Sequence, residues 1–255
     1  HEDCTPDALG SMEADLKEVK STVWQGILFV NLSENAEPFN DYIEPVVNLL
    51  EEYDLENLDI ARDQEGKPFL MEDSVNTNWK TYCENACLNV LHESFTHRMY
   101  NQSSDVPRVD GEGNKTFQTV HDGALLGFSY DDSKLTDTYP ELPCPPINRK
   151  DEPAPTTGYF LTLYPNLYFG VMLNIIEIGI ALPDGPDKTI EMRGYYCHQS
   201  AANDPGLVEA FDALADMFEE GAKEDNTITE AIQKARRSPE STQQFFSPFW
   251  DESHY

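Results

Sequence analysis

The chain has 255 residues, 39% of them hydrophobic and 11% aromatic, enough to bury a substantial core in one large domain or two small ones. Its 47 acidic residues outweigh 17 basic ones and leave a net charge of -30. Such a charge repels nucleic acid and anionic membranes, so neither is expected as a partner. The acid is spread along the chain rather than gathered in a tail, which points to a solvated, halophilic surface where salt relieves self-repulsion.

Taken in chain order, residues 1–20 are polar and charged and read as a linker or a truncated remnant, leaving 21–255 as the working domain. Ser21 to Leu32 is rich in β-branched and aromatic residues and predicts a strand. Ser33 or Asn35 can cap a helix that follows, with Pro38 in its first turn and Pro45 expected to end or kink it early. A strand or two is expected between Leu58 and Met71, then a helix from Asn78. Ser103 to Thr116 is turn-rich, and Phe117 to Tyr130 reads as strand. Asp137 to Pro155 carries six prolines and predicts an irregular excursion. Strands are expected over Gly158–Pro165, Leu167–Pro183 and Thr189–Gln199. A terminal helix follows, with Asp204 as N-cap, Pro205 at its first position and a break at Gly221. Short helices, antiparallel strands and a long last helix make an α+β pattern.

Cys4, Cys83, Cys87, Cys144 and Cys197 are odd in number and suggest no disulfide framework, so a cytoplasmic location is expected. Cys83 and Cys87 read as small apolar residues on a buried helix face. The most apolar stretch, Leu161 to Leu182, is interrupted by Pro165, Asn166, Asn174 and Glu177 and reads as strands rather than a membrane span. No phosphate-cradling glycine loop and no Gly-x-Ser-x-Gly elbow occurs. His121 and His198 lack companion ligands and read as structural. Tyr159, Phe160, Tyr164, Tyr168 and Phe169 are core residues or part of a pocket wall.

The segment NWKTYCENACLNVLHESFTHR, Asn78 to Arg98, places His92 and His97 five residues apart. That spacing turns the second side chain roughly 140° from the first on a regular helix, so it does not suit a zinc hydrolase built on His92, Glu93 and His97. The pair can meet at one metal only if the helix ends between them, and Ser94 and Thr96 favour such an ending. Read alone, the spacing also describes two ordinary histidines, one on the surface and one in the core.

The wider pattern, Asn78-Trp79-Lys80, Glu84-Asn85, His92 and His97, closely resembles the iron-binding helix of Rieske non-haem iron oxygenase catalytic domains, the α subunits of ring-hydroxylating oxygenases. YPNLYFGVMLNIIEIGIALPDGPDKT, KEDNTITEAIQ and FSPFWDE resemble further segments of that family in the same order. The resemblance implies a helix-grip (START-like) fold, a curved antiparallel sheet around a long C-terminal helix. It implies Fe(II) held by His92, His97 and Asp225, with Glu224 as the alternative carboxylate, and Asn85 close to the metal. It implies O2-dependent hydroxylation or oxidative demethylation of a small organic substrate, an aromatic compound or a quaternary amine, by a homotrimer. Electrons would come from a Rieske [2Fe-2S] domain or ferredoxin and a reductase.

Two departures qualify the resemblance. A Rieske centre needs paired Cys and His ligands, and no cysteine here has the neighbours for it, so the cluster is expected in a separate or missing domain. The family's acidic residue three before the first histidine is Asn89 here, an amide that can hydrogen-bond an imidazole but lacks the charge that strengthens a ligand. Both departures leave a catalytically silent helix-grip ligand-binding domain as the alternative.

Overall fold

The computed structural model describes residues 18–87, 96–97, 117–134 and 142–241. The chain divides into two compact units, residues 1–42 and 43–255.

In the first unit, Lys20–Trp24 (β1) and Ile27–Asn31 (β2) form a two-stranded hairpin. The single strand expected over Ser21 to Leu32 is therefore two. Gln25 and Gly26 both take positive φ, 47° and 75°, the backbone that a two-residue hairpin turn demands. Phe29 of β2 packs on Phe39 and Tyr42 at ring distances of 4.9 and 6.3 Å. Helix α1 (Phe39–Leu49) carries the boundary between the units. Pro45 does not end it: the helix continues to Leu49, and just past its end the Leu50 N–H donates to the Val46 carbonyl at 3.0 Å.

The second unit is built on an eight-stranded sheet in which every paired strand is antiparallel. Its strands are β3 (Leu58–Ile60), β4 (Leu70–Val75), β5 (Gln118–Asp122), β6 (Leu125–Asp131), β7 (Thr157–Leu163), β8 (Leu167–Val171), β9 (Ile176–Pro183) and β10 (Thr189–His198). The order is β3-β10-β9-β8-β7-β6-β5, with β4 also pairing β10. The long apolar run from Leu167 is broken into β8 and β9 by a turn in which the Met172 N–H donates to the Ile175 carbonyl at 2.9 Å. Phe117 to Tyr130 likewise turns at Gly123, whose φ is 57°.

Strand alternation gives the sheet two faces. One carries Leu161, Phe169 and Ile176, all nearly inaccessible. The other, here the inner face, carries Glu191, Arg193 and Tyr195 of β10, Glu177 of β9 and Tyr168 of β8 in register. Helix α2 (Trp79–Cys87) lies over the inner face at β6 to β9. Helix α3 (Pro205–Arg236) begins at the β10 end, where Leu207, Phe211 and Leu214 join Tyr195 and Cys197 in the core. Tyr195 stacks on Phe211 with ring centroids 5.5 Å apart.

The expected N-cap is present, with the Asp204 carboxylate accepting from the Gly206 N–H at 2.8 Å. The expected break at Gly221 is not: α3 runs unbroken for 32 residues. A helical glycine costs about 1 kcal/mol against alanine, which packing along a buried stripe can offset. No helix among the described residues is long and apolar enough to cross a membrane.

Candidate metal centre

Two elements bring the site together. The inward stripe of α3 passes from Leu207, Phe211 and Leu214 in the core through Phe218, Gly221 and Asp225 to the buried Thr229. Its steps of three and four residues keep those positions on one face. Continuity of the helix at Gly221 is what keeps Asp225 in line with the core residues.

The C-terminal half of α3 is tied to the start of α2. Thr77 donates to the Thr229 carbonyl at 3.3 Å, Arg236 donates to the Thr81 hydroxyl at 2.6 Å, and Arg236 also pairs with Glu84. Asn78, the first residue of the Asn-Trp-Lys signature, caps α2: its side-chain oxygen accepts from the Lys80 N–H at 3.0 Å. Its amide donates to the Pro186 carbonyl at 2.9 Å, so the same residue anchors the helix to the β9–β10 turn.

His97 is 7% exposed and lies against α3. Its Nε2 is 3.6 Å from Asp225 Oδ1, and its Nδ1 is 3.4 Å from Glu224 Oε2. Gly221 backs the ring: a Cβ there would sit 3.6 Å from both Cε1 and Nδ1 of His97. Donor atoms each about 2.1 Å from one ion and spread by 90–120° lie roughly 3.0–3.6 Å apart. The separation of Nε2 from Oδ1 is of that size and longer than an N–H···O hydrogen bond. A carboxylate on the second ring nitrogen is the arrangement that orients a metal-bound imidazole. One imidazole and one carboxylate thus fit a ferrous ion.

The described residues contain no group of three metal-ligating side chains. His92, the third member of the expected triad, and Asn89 lie outside the described residues, as does the helix end expected between the two histidines. Asn85 is half-buried on α2, three residues and hence about one turn beyond Tyr82.

The other expectations divide. Cys83 is buried and its thiol is pushed up to about 12 by burial and by neighbouring carboxylates, which suits a packed side chain and not a thiolate ligand. His121 is exposed, and His198 Nδ1 meets the Ser200 hydroxyl at 2.7 Å. Tyr159 and Phe169 face away from α2 and α3, Tyr164 is exposed, and only Phe160 and Tyr168 reach the inner face.

One cluster was not foreseen. Tyr82 of α2 and Tyr168 of β8 both donate to Glu191, which is 3.5 Å from Arg193. Arg193 is also 3.7 Å from Glu177 and donates to Asp73 at 2.7 Å. Glu177, Glu191 and Arg193 are all nearly inaccessible, at 8%, 3% and 4%. Burial pushes Glu177 up to about 7 despite Arg193 beside it. Burial pulls Arg193 down, but Glu191 and Glu177 outweigh it and hold the guanidinium above its ordinary value. Tyr82 is raised by burial and Glu191, and feels Asp225 as well, so the cluster borders the metal centre. The signal was present in sequence: charged residues at alternate positions of TIEMRGYY and a lone Glu177 in an otherwise apolar strand.

Residues 50–254 match the family described as ring hydroxylating alpha subunit (catalytic domain). The chain is 25% identical over 170 residues to the chloroplastic choline monooxygenase of Atriplex hortensis, covering 65% of this chain and 32% of that protein. Its fold is similar to that of CntA, a quaternary ammonium Rieske monooxygenase, with TM-score 0.62 and 16% identity over 88% of this chain and 53% of that one. It is also similar to naphthalene 1,2-dioxygenase with indole in its active site, with TM-score 0.61 and 13% identity over 87% and 54% of the two chains. The chain therefore spans about a third of the curated relative and about half of these solved structures.

Proposed function

Because the chain belongs to the family of ring-hydroxylating α-subunit catalytic domains within the Rieske non-haem iron oxygenases, we propose that it performs O2-dependent hydroxylation or oxidative demethylation of a small organic substrate, an aromatic compound or a quaternary amine. The observation that carries the proposal is the approach of His97 Nε2 to Asp225 Oδ1, 3.6 Å apart at the edge of the inner face. With His92 as the third ligand, His97 and Asp225 would hold Fe(II). Bound there with open coordination positions, the ion supplies the activation of O2.

The chain's own residues do the rest. Glu224, facing Nδ1, holds the His97 ring with Nε2 toward Asp225. Gly221 leaves the ring room against α3. Asn85 and Asn89, from the same segment of the sequence, take catalytic roles as hydrogen-bonding amides. Electrons come from a Rieske [2Fe-2S] partner and its reductase, and the chains assemble as a homotrimer in the cytoplasm. The excess of acid suits a cell with high internal salt.

Anaerobic titration with Fe(II), or with Co(II) read by its visible absorption, tests the proposal. About one ion per chain is expected, with the affinity falling at least ~100-fold in His97→Ala and in Asp225→Ala. Metal-free protein under saturating Fe(II), or stoichiometric binding unchanged by either substitution, would leave the silent ligand-binding domain as the better reading.

A further inference from the structure

Helix α2 meets the sheet through charged and hydroxyl groups where apolar ones would be the less costly choice. Glu191 and Arg193 of β10 are nearly inaccessible. Burying such charges is costly, and well-packed apolar residues of similar volume often hold a fold equally well. What apolar packing supplies poorly is direction. A hydrogen bond weakens steeply away from its preferred angle, so it selects one setting of a helix on a sheet where apolar contacts tolerate several.

The network is built outward from Glu191. Arg193, on the same strand and face, is 3.5 Å away and supplies the countercharge. The guanidinium is held in turn by Asp73 at 2.7 Å and Glu177 at 3.7 Å. Two hydroxyls donate to the Glu191 carboxylate. Tyr168 reaches it from within the sheet, across Gly179, and Tyr82 reaches it from α2. The start of α2 is tied separately: Thr189 donates to the Thr77 carbonyl at 2.8 Å, and Asn78 to the Pro186 carbonyl. Tyr82 adds a second point of attachment about one turn further along. Two points stop a helix from pivoting on the sheet about its first turn.

That setting matters to both sides of the metal centre. His92 and His97 follow Cys87, the last residue of α2, by five and ten positions, so α2 sets the start from which the histidine segment reaches α3. On its other side α2 is bound by Arg236 of α3, through Thr81 and Glu84. Helix α3 carries Asp225, and Tyr82 is near enough to feel that carboxylate's charge.

We propose that Tyr82 is a positioning residue for the metal centre: its hydroxyl, bound to Glu191, fixes α2 on the sheet at the setting from which the histidine segment meets Asp225. Arg193, Asp73 and Glu177 serve to make a buried carboxylate available as that anchor. The assignment rests on the metal-centre reading above.

Tyr168 provides the matched comparison, because it gives Glu191 the same kind of bond from the sheet alone. Tyr82→Phe and Tyr168→Phe are each expected to lower the unfolding temperature by roughly 3–6 °C. Only Tyr82→Phe is expected to weaken Co(II) binding, by about 10-fold or more, and to alter the visible absorption of the bound ion. Glu191→Gln attacks the same bond from the sheet side and is expected to act as Tyr82→Phe does, with no further loss of metal affinity in the double variant. Unchanged Co(II) affinity and spectrum in whichever of Tyr82→Phe and Glu191→Gln folds, or an equal loss of affinity in Tyr168→Phe, overturns this assignment and leaves the metal centre standing. Wild-type protein that takes up no Co(II) defeats the metal centre itself, and this assignment with it.

Discussion

A carboxylate pushed up to about 7, like that of Glu177, makes stability depend on pH in a definite direction. Between the ordinary value of 4.5 and about 7, the folded protein keeps a proton that the unfolded chain has released. The stabilisation from that proton is complete below about pH 4.5 and is lost as pH rises through 7, amounting to up to about 3 kcal/mol. Arg193 and Glu191 are the charged groups acting on it. Glu177→Gln is therefore expected to flatten the wild-type decline in urea-unfolding free energy between pH 5 and pH 8. A decline of unchanged slope in the variant would show that other groups cause it. Glycines on neighbouring strands make the cluster's geometry achievable. A Cβ on Gly179 would fall 1.8 Å from Tyr168 Cζ, so the ring that reaches Glu191 crosses its neighbour strand where no side chain stands. At this scale the resemblance named His97, Asp225 and Glu224, and the structure puts both carboxylates within 3.6 Å of the His97 ring. Glu177 was visible as an oddity in an apolar strand but had no assigned partner. What it meets depends on β10, whose Arg193 is sixteen positions away in sequence and beside it only through strand pairing.

At the scale of elements, α3 does two jobs along one stripe: its first half fills the core and its second half presents Asp225. Gly221 stands where the two meet. Gly221→Ala places a Cβ in ordinary contact with the His97 ring, at 3.6 Å, and gains helix propensity, so stability is expected to hold or rise by up to about 1 kcal/mol with metal affinity retained. Gly221→Leu has no such room and is expected to displace the imidazole and weaken Co(II) binding by at least ~10-fold. Equal metal affinity in both variants would show that the ring is held by something other than its seat on α3. The expected break at Gly221 is the instructive error. Glycine weakens an isolated helix, but propensity is a small energy beside burial of Leu207, Phe211 and Leu214 on the same helix. Pro45 repeats the lesson in α1, where one lost backbone bond did not end the helix. Asn78 shows the converse. A signature residue known only by resemblance has a plain physical role as helix cap and anchor.

For the whole molecule the dominant quantity is the net charge of -30. At low ionic strength so many like charges oppose compaction, and the Debye length of about 10 Å at 0.1 M leaves neighbouring surface carboxylates unscreened. Raising NaCl from about 0.1 M to 2 M is expected to raise the unfolding temperature by roughly 5–10 °C in calorimetry. No change, or a fall, would remove the case for a salt-adapted surface.

Local sequence was sufficient for most elements: the α+β composition, most of the strands, the N-cap at Asp204 and the irregular stretch before β7, while the link between the histidine motif and a distant acid came from resemblance alone. These follow from short-range patterns, alternation, helical spacing and turn chemistry, which act over a few neighbours. Only the tertiary structure could decide which carboxylate faces which nitrogen of His97, that α3 passes Gly221 unbroken, and that Glu177, Glu191 and Arg193 gather on one buried face. Those outcomes depend on register between strands and on packing between helices far apart in the chain, and burial there outweighs local propensity.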